Sequence, residues 1–350
     1  MKERYEEGAG RLAGLIEAKA RELKAAGETI LIFPHKSVDG DCIGSSCALA
    51  GIFRNLGARA WVAMPELLPD NMSFLGVEDL LFYPPDDFLK TDMKIDGSFC
   101  SSAFSVDCSE GHRMGPNSDL FDSFEEAFDI DHHEVTNLRS PIKWIDPGAS
   151  SACEMVFYVA IKLANLMGVE LSEVIDKRTA CCLMAGVVTD TGRFTYTNTK
   201  PETLETAGLL MQLGGDITEV CYNLFDMKTQ AELKISGLSC LKARFEYGGR
   251  LAITVVTSDM FEECGAGTDD IAEVVSRLRD VKGVDFACVL RETGGGLIRG
   301  NLRSKSEFDC AAFASNYGGG GHKHAAGFTA SGRDIHELAE EIITKAGELL

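Results

Sequence analysis

Short apolar runs alternate with amphipathic helical stretches over the first two-thirds of the chain, the pattern of a parallel α/β sheet. Thr29–Phe33 predicts a strand that ends in a polar loop, followed by a helix over residues 42–56. Residues 58–63 predict a second strand. Residues 104–107 and Ala127–Asp131 predict two more, each short and each closing on an aspartate. Helices are expected over Ala152–Met167 and residues 172–188, the second running into Thr189-Asp190-Thr191-Gly192. Ligands of open α/β sheets bind beyond the carboxyl ends of the strands, so aspartates recurring there point into one crevice.

Beyond residue 200 the apolar spacing turns wholly helical, with helices expected over 203–213, 217–225 and Gln230–Leu241. Residues 243–247 and Leu251–Val256 then read as a hairpin, whose Gly248-Gly249 pair supplies the positive φ angles of a tight turn. A helix over 269–279, strands near 285–291 and 296–303, and a last helix over 335–349 complete a smaller α/β region. The pattern therefore predicts an N-terminal parallel-sheet domain over 1–200 with helices on both faces, a helical connector over 201–238 and a smaller α/β domain over 239–350.

Composition narrows the class. At 350 residues with 45% apolar and 25% charged side chains, the chain can bury two ordinary cores. Its 54 acidic against 34 basic residues give a formal charge of −20. That excludes the broad basic surface that long nucleic acid requires, but leaves room for a short anionic substrate in a local basic pocket. The twelve cysteines show no Cys-x-x-Cys pair and mostly sit among apolar neighbours, as small buried hydrophobes in a reducing compartment do. The charged N-terminus over residues 1–7 predicts an amphipathic helix without the apolar core of a signal peptide, and no apolar run approaches a membrane span. A cytoplasmic protein without a membrane partner is expected.

Five of the seven histidines fall in three tight groups: His35, the pair His132–His133, and the pair His322/His324. In Pro34-His35-Lys36-Ser37-Val38-Asp39-Gly40-Asp41 a strand end throws one imidazole and two carboxylates into a single loop, a spacing that lets them converge on a hard cation. The same residues also suit a turn with a helix N-cap. Asp131-His132-His133 closes another strand, where the aspartate can orient one ring while the other faces the crevice. Asp107 and Asp190 add carboxylates at two further element ends. Two carboxylates about 4 Å apart repel by roughly 4 kcal/mol at an effective dielectric of 20, so four facing one crevice call for cations between them. Mixed Asp and His ligands without thiolate suit Mn²⁺ or Mg²⁺ better than a structural Zn²⁺.

The set His35-x-x-x-Asp39-x-Asp41, Asp107, Asp131-His132-His133 and Asp190 resembles the four motifs of the DHH phosphoesterase superfamily. Gly318-Gly319-Gly320-Gly321-His322-Lys323-His324-Ala325-Ala326-Gly327-Phe328, with Leu302-Arg303-Ser304 upstream, is similar to the signature of its DHHA1 domain. Val38 departs from the proline many members carry before the first motif aspartate. The resemblance implies a DHH domain, a helical connector and a DHHA1 domain. It implies one cation on His35, Asp39 and Asp107 and a second on Asp41, Asp107, His132 and Asp190, with Asp107 bridging and a water between them attacking phosphorus. His133 would face the phosphate, with Asp131 orienting the histidines.

The glycine run alone also fits a flexible linker. It leads, however, into His-Lys-His and an apolar segment, and backbone without Cβ atoms can approach a phosphate closely. From Leu297 to Gly327 the formal balance is +2, an island of positive charge on an acidic chain. Arg303, Ser304, Gly319, Gly320, Gly321 and His322 are the expected substrate residues, and Arg299 and Arg193 are left undecided. The compact organisation is similar to the bacterial oligoribonuclease (nanoRNase) and pAp phosphatase type. This implies a Mn²⁺-dependent phosphodiesterase and phosphatase acting on short RNA oligonucleotides or on pAp. A phosphodiesterase acting on cyclic-di-AMP or pApA, and a non-catalytic nucleotide-binding protein, are the alternatives.

Overall fold

The computed structural model describes residues 3–90, 92–108, 110–134, 140, 142–305 and 307–350. The chain divides into two compact units, residues 1–227 and 228–350. Residues 1 and 2 of the expected N-terminal helix lie outside the described residues; the rest of it opens a helix that runs on to residue 26.

In the first unit the apolar runs become strands because their side chains are covered on both faces, as in parallel sheets. The elements are α1 (Glu3–Ala26), β1 (Thr29–Phe33), α2 (Gly40–Asn55), β2 (Arg59–Ala63), β3 (Leu81–Phe82), β4 (Lys94–Ile95), β5 (Ser98–Val106) and α3 (Ser118–Asp122). They continue with β6 (Ala127–Asp131), β7 (Ile142–Ile145), α4 (Ala152–Met167), α5 (Leu171–Val174), α6 (Lys177–Asp190), α7 (Pro201–Gln212) and α8 (Ile217–Cys221). The sheet order is β3-β2-β1-β5-β6-β7, all parallel, with β4 antiparallel to β5. Thus β1, β5 and β6, the strands whose ends carry the histidine and aspartate motifs, lie side by side, and the chain reverses its direction of progress at β1/β5. One face packs on α1, α2, α4 and α6 through residues such as Leu12, Phe53, Phe157 and Leu183; the other carries Phe33, Phe88, Met114 and Phe121.

Two expectations are corrected here. The helix expected over 172–188 is two helices. Ile175 is extended between them, and the Asp176 carboxylate accepts the Thr179 N–H to start α6 afresh. The segment expected as one helix over 217–225 is α-helical only to Cys221, then widens into a π-turn over Tyr222–Asp226.

The second unit comprises α9 (Gln230–Leu241), β8 (Arg244–Glu246), β9 (Leu251–Val256), α10 (Ser258–Cys264), α11 (Val274–Arg279) and β10 (Phe286–Glu292). After them come β11 (Leu297–Ser304), α12 (Cys310–Ser315), β12 (Gly320–His322), β13 (Ala325–Ser331) and α13 (Ile335–Gly347). Its sheet runs β12-β13-β11-β10-β9-β8, antiparallel except for β9–β10. α12 and α13 cover one face around Phe286, Phe313 and Leu338. Ile235 of α9, with Met260, Val274 and Leu278, covers part of the other. The helix expected from residue 269 begins only at Val274, and the second half of the glycine run enters a strand at the sheet edge, with Gly320 opposite Gly327 and His322 opposite Ala325. Of the helices expected in the connector, α7 and α8 belong to the first unit and α9 to the second. All twelve cysteines are free thiols, and among the described residues no helix is long and apolar enough to cross a membrane.

Candidate metal centre and substrate cavity

His35 follows the last residues of β1 and is 4% exposed. Its Nδ1 lies 2.7 Å from the Lys36 carbonyl, which makes that nitrogen the donor and leaves the Nε2 lone pair open. Nε2 has no hydrogen-bond partner and sits 3.4 Å from Asp107 Oδ2 and 3.8 Å from Asp39 Oδ2. Asp39 does two things. Its Oδ1 accepts the Cys42 N–H and caps α2, a role the turn reading gives to Asp41, while Oδ2 faces His35. Asp107 follows β5 in the left-handed region at φ +58, a conformation costly for a residue other than glycine. It is 1% exposed, and its Oδ1 is also without a hydrogen-bond partner.

His132, one residue beyond β6, directs Nε2 at three carboxylates: Asp190 Oδ2 at 3.1 Å, Asp107 Oδ1 at 3.4 Å and Asp41 Oδ2 at 3.6 Å. Asp41, in the first turn of α2, is fully buried, and its two oxygens accept the N–H groups of Ala152 (2.7 Å) and Cys153 (2.9 Å). Those amides are the unpaired donors of the first turn of α4, so a helix N-terminus faces an anion. His133 Nδ1 lies 2.8 Å from Asp131 Oδ1, which also accepts the His133 N–H at 2.9 Å, and the side chain is 41% exposed.

Electrostatics follow from this crowding. Burial pushes Asp107 up, but the imidazoles of His132, His133 and His35, at 3.2–3.4 Å, outweigh it and hold the carboxyl well below the usual range. Burial, then the charges of Asp190 and Asp107, raise Asp41 well above it. Burial alone would lower His132, yet Asp107 and Asp190 carry it up to about 12. The carboxylates of Asp107 and Asp131 beside its Nδ1 lift His133 to about 9. In the cation-free protein, protons on the imidazoles thus offset the carboxylate charge. Divalent cations fit the same place: buried imidazole nitrogens surrounded by carboxylate oxygens are a donor set for such ions, which would displace those protons.

Asp41, His132 and Asp190 offer ligand atoms within 4.8 Å of one another, and so do Asp107, His132 and His133. His35 and Asp107 form a third such group, in which the neighbouring thiol is Cys42 rather than the half-exposed Asp39. Sequence reasoning missed Cys42 as a neighbour and missed the support of Asp41 by α4. The second had a legible signal, because Ser151-x-x-Glu154 is a helix-start pattern, and Ser151 Oγ does accept the Glu154 N–H.

In the second unit Arg303, Gly319, Gly320 and Gly321 line a cavity of about 540 Å³, together with Arg299 and Asn301. Strand alternation explains the grouping, since residues 299, 301 and 303 share one face of β11. Ser304 points to the other face, where its hydroxyl donates to the Phe308 carbonyl at 2.8 Å. His322 is exposed at the sheet edge. Gly319 is confined by packing: a Cβ there would meet the Gly327 carbonyl oxygen at 2.2 Å.

A parallel sheet with a carboxylate–imidazole cluster at its switch point, joined to a second domain with a glycine-rich edge, defines an α/β protein of the DHH type. The chain belongs to that family. Residues 29–187 match the DHH family N-terminal domain and residues 249–348 match the DHHA1 domain. It is 30% identical to a protein of Thermus thermophilus named bifunctional oligoribonuclease and PAP phosphatase NrnA, over 95% of this chain and 93% of that one. A Bacillus subtilis protein of the same name is 26% identical over 86% and 88% of the two chains. An exopolyphosphatase-related protein from Bacteroides fragilis has the same fold, with a TM-score of 0.80 at 23% identity over 95% and 96%.

Proposed function

We propose that this protein is a divalent-metal phosphoesterase that hydrolyses short oligoribonucleotides and 3′-phosphoadenosine 5′-phosphate, with Mn²⁺ as its cation. The observation that carries this reading is His132 Nε2, buried, without a hydrogen-bond partner and within 3.6 Å of three carboxylates. The names of the Thermus and Bacillus relatives support the substrate class.

In this reading His35, Asp39 and Asp107 hold one cation, and Asp41, Asp107, His132 and Asp190 hold the other. Such a pair supplies Lewis acidity toward the phosphate and lowers the pKa of the attacking water. A donor set that is mostly carboxylate with an imidazole share supports the choice of Mn²⁺. Asp131 fixes the His133 ring through Nδ1, so that its other edge meets a non-bridging or leaving oxygen of the phosphate. Arg303 grips a terminal phosphate in two-pronged fashion, and the glycine strand lets backbone approach it. Ser304 supports that strand turn from beneath.

Turnover by the pure protein with Mn²⁺ tests the reading on pAp, pApA, two- to five-nucleotide RNA, cyclic-di-AMP, long single-stranded RNA and polyphosphate. Phosphate or mononucleotide release from pAp and from short RNA, pApA included, above the rates on cyclic-di-AMP, long single-stranded RNA and polyphosphate, is expected. No turnover of any phosphoester overturns the enzyme reading, and a preference for cyclic-di-AMP or polyphosphate overturns the substrate assignment.

A further inference from the structure

Asp190 is the last residue of α6, where the carbonyls of a helix have run out of partners within it. Its backbone oxygen accepts a hydrogen bond from Asn198 Nδ2 at 3.0 Å. The same Nδ2 donates to the Ser150 carbonyl, also at 3.0 Å. The amide orientation is fixed by this pairing, since the flipped amide would set Oδ1 against two carbonyl oxygens. Ser150 is fully buried and immediately precedes Ser151, the N-cap of α4. One residue further on begin the N–H groups of Ala152 and Cys153 that hold the Asp41 carboxylate. A single side chain therefore joins the end of α6, which carries Asp190, to the start of α4, which fixes Asp41. His132 Nε2 lies between the two carboxylates, 3.1 Å from Asp190 and 3.6 Å from Asp41.

We infer that Asn198 is a positioning residue that sets the spacing of Asp41 and Asp190, and with it the affinity of the cation these two share with His132. The inference rests on the two-cation reading above. The His35–Asp107 half is carried by the loops after β1 and β5 and does not depend on this tie. Loss of Asn198 thus acts on one half of the centre. A purely structural role would lower overall stability and affect both halves alike.

The test uses the full chain, stripped with chelator and dialysed, then titrated with Mn²⁺ by calorimetry and followed by electron paramagnetic resonance. Wild type is expected to take up two equivalents and to show the spectrum of a coupled pair. In Asn198→Ala the first equivalent binds as in wild type, and the second binds about 10–100-fold more weakly, the usual scale for losing an outer partner of a metal ligand. Asn198→Asp, which sets carboxylate oxygens against the two carbonyls, loses at least as much. Asn198→Ser, which keeps one donor, falls between and serves as the reading should the alanine variant not fold. At saturating Mn²⁺ the kcat on pAp recovers with KM unchanged. Unaltered affinity for the second equivalent, or equal weakening of both, overturns the assignment. A wild-type chain that binds fewer than two equivalents overturns the two-cation reading itself, a result distinct from two equivalents that Asn198 does not influence.

Discussion

A β-carbon on Gly186 would lie 2.4 Å from the Oδ1 of Asp41, closer than any real side chain allows. Gly186 sits within α6, where α2 and α4 press against it, and the same β-carbon would meet Cys153 Sγ at 2.3 Å. Alanine normally improves a helix interior. Here that sign reverses.

Gly186→Ala should cost about 1–3 kcal/mol through overpacking and should displace a proposed ligand as well. Gly208→Ala, at an exposed site of α7 with nothing within 4 Å of the added carbon, should instead stabilise by about 0.5–1 kcal/mol. Denaturant melts of both variants check the pair. A stabilised Gly186→Ala would show that α2, α4 and α6 are less tightly packed than described.

Asp107 joins the two halves of the cluster from a left-handed backbone. Asn tolerates that conformation, so Asp107→Asn should keep the fold and its melting temperature while turnover falls below about 1% and Mn²⁺ uptake fails at both places. Retained uptake of two equivalents would reject Asp107 as the shared ligand. Circular dichroism and metal analysis on one sample separate the two effects.

The gathering of His35, Asp107 and His132 was more legible than the bounds of the helices, for a physical reason. His35, Asp107 and His132 follow strands that read as short apolar runs, and a residue just past a parallel strand has one place to go. Strand β7, four residues long and only partly buried, leaves no pattern that a turn would not also leave. The break at Asp176 was invisible because apolar spacing continues across it, and only the aspartate's side-chain cap resets the helix. The glycine run reads as a loop because glycine has no strand propensity; pairing with Ala325–Gly327 overrides that preference. Asn198 was unreadable, since its role lies in two backbone carbonyls that are distant in sequence.

Arg303→Ala should raise KM for pAp by about 10–100-fold, the scale of one lost charged hydrogen bond, with kcat nearly unchanged. Initial rates across a pAp series check it. A collapse of kcat at constant KM would place Arg303 in the chemistry instead of in substrate binding.

Asp129 is fully buried between Ser105, whose hydroxyl donates to it at 2.6 Å, and the Ser140 N–H at 3.1 Å. Burial lifts its pKa from 3.8 to about 6, against those two hydrogen bonds. The folded state therefore holds a proton that the unfolded state has released between these values, so its contribution to stability is largest below pH 3.8 and declines up to about pH 6. A carboxamide in its place would stay neutral throughout. Asp129→Asn should thus gain on wild type by about 2 kcal/mol between pH 4 and pH 7. Parallel urea melts at the two pH values check this, and a gap that does not widen would show that the site admits water.

In the proposed function, hydrolysis of pAp depends on divalent cations held by this carboxylate–imidazole cluster. The most direct measurement is phosphate release from pAp by chelated, dialysed protein as Mn²⁺ is added back stoichiometrically. No turnover is expected without metal, little with one equivalent, and full turnover as the second equivalent fills. Turnover of pAp by the metal-free protein, or no turnover with both equivalents bound, would contradict it.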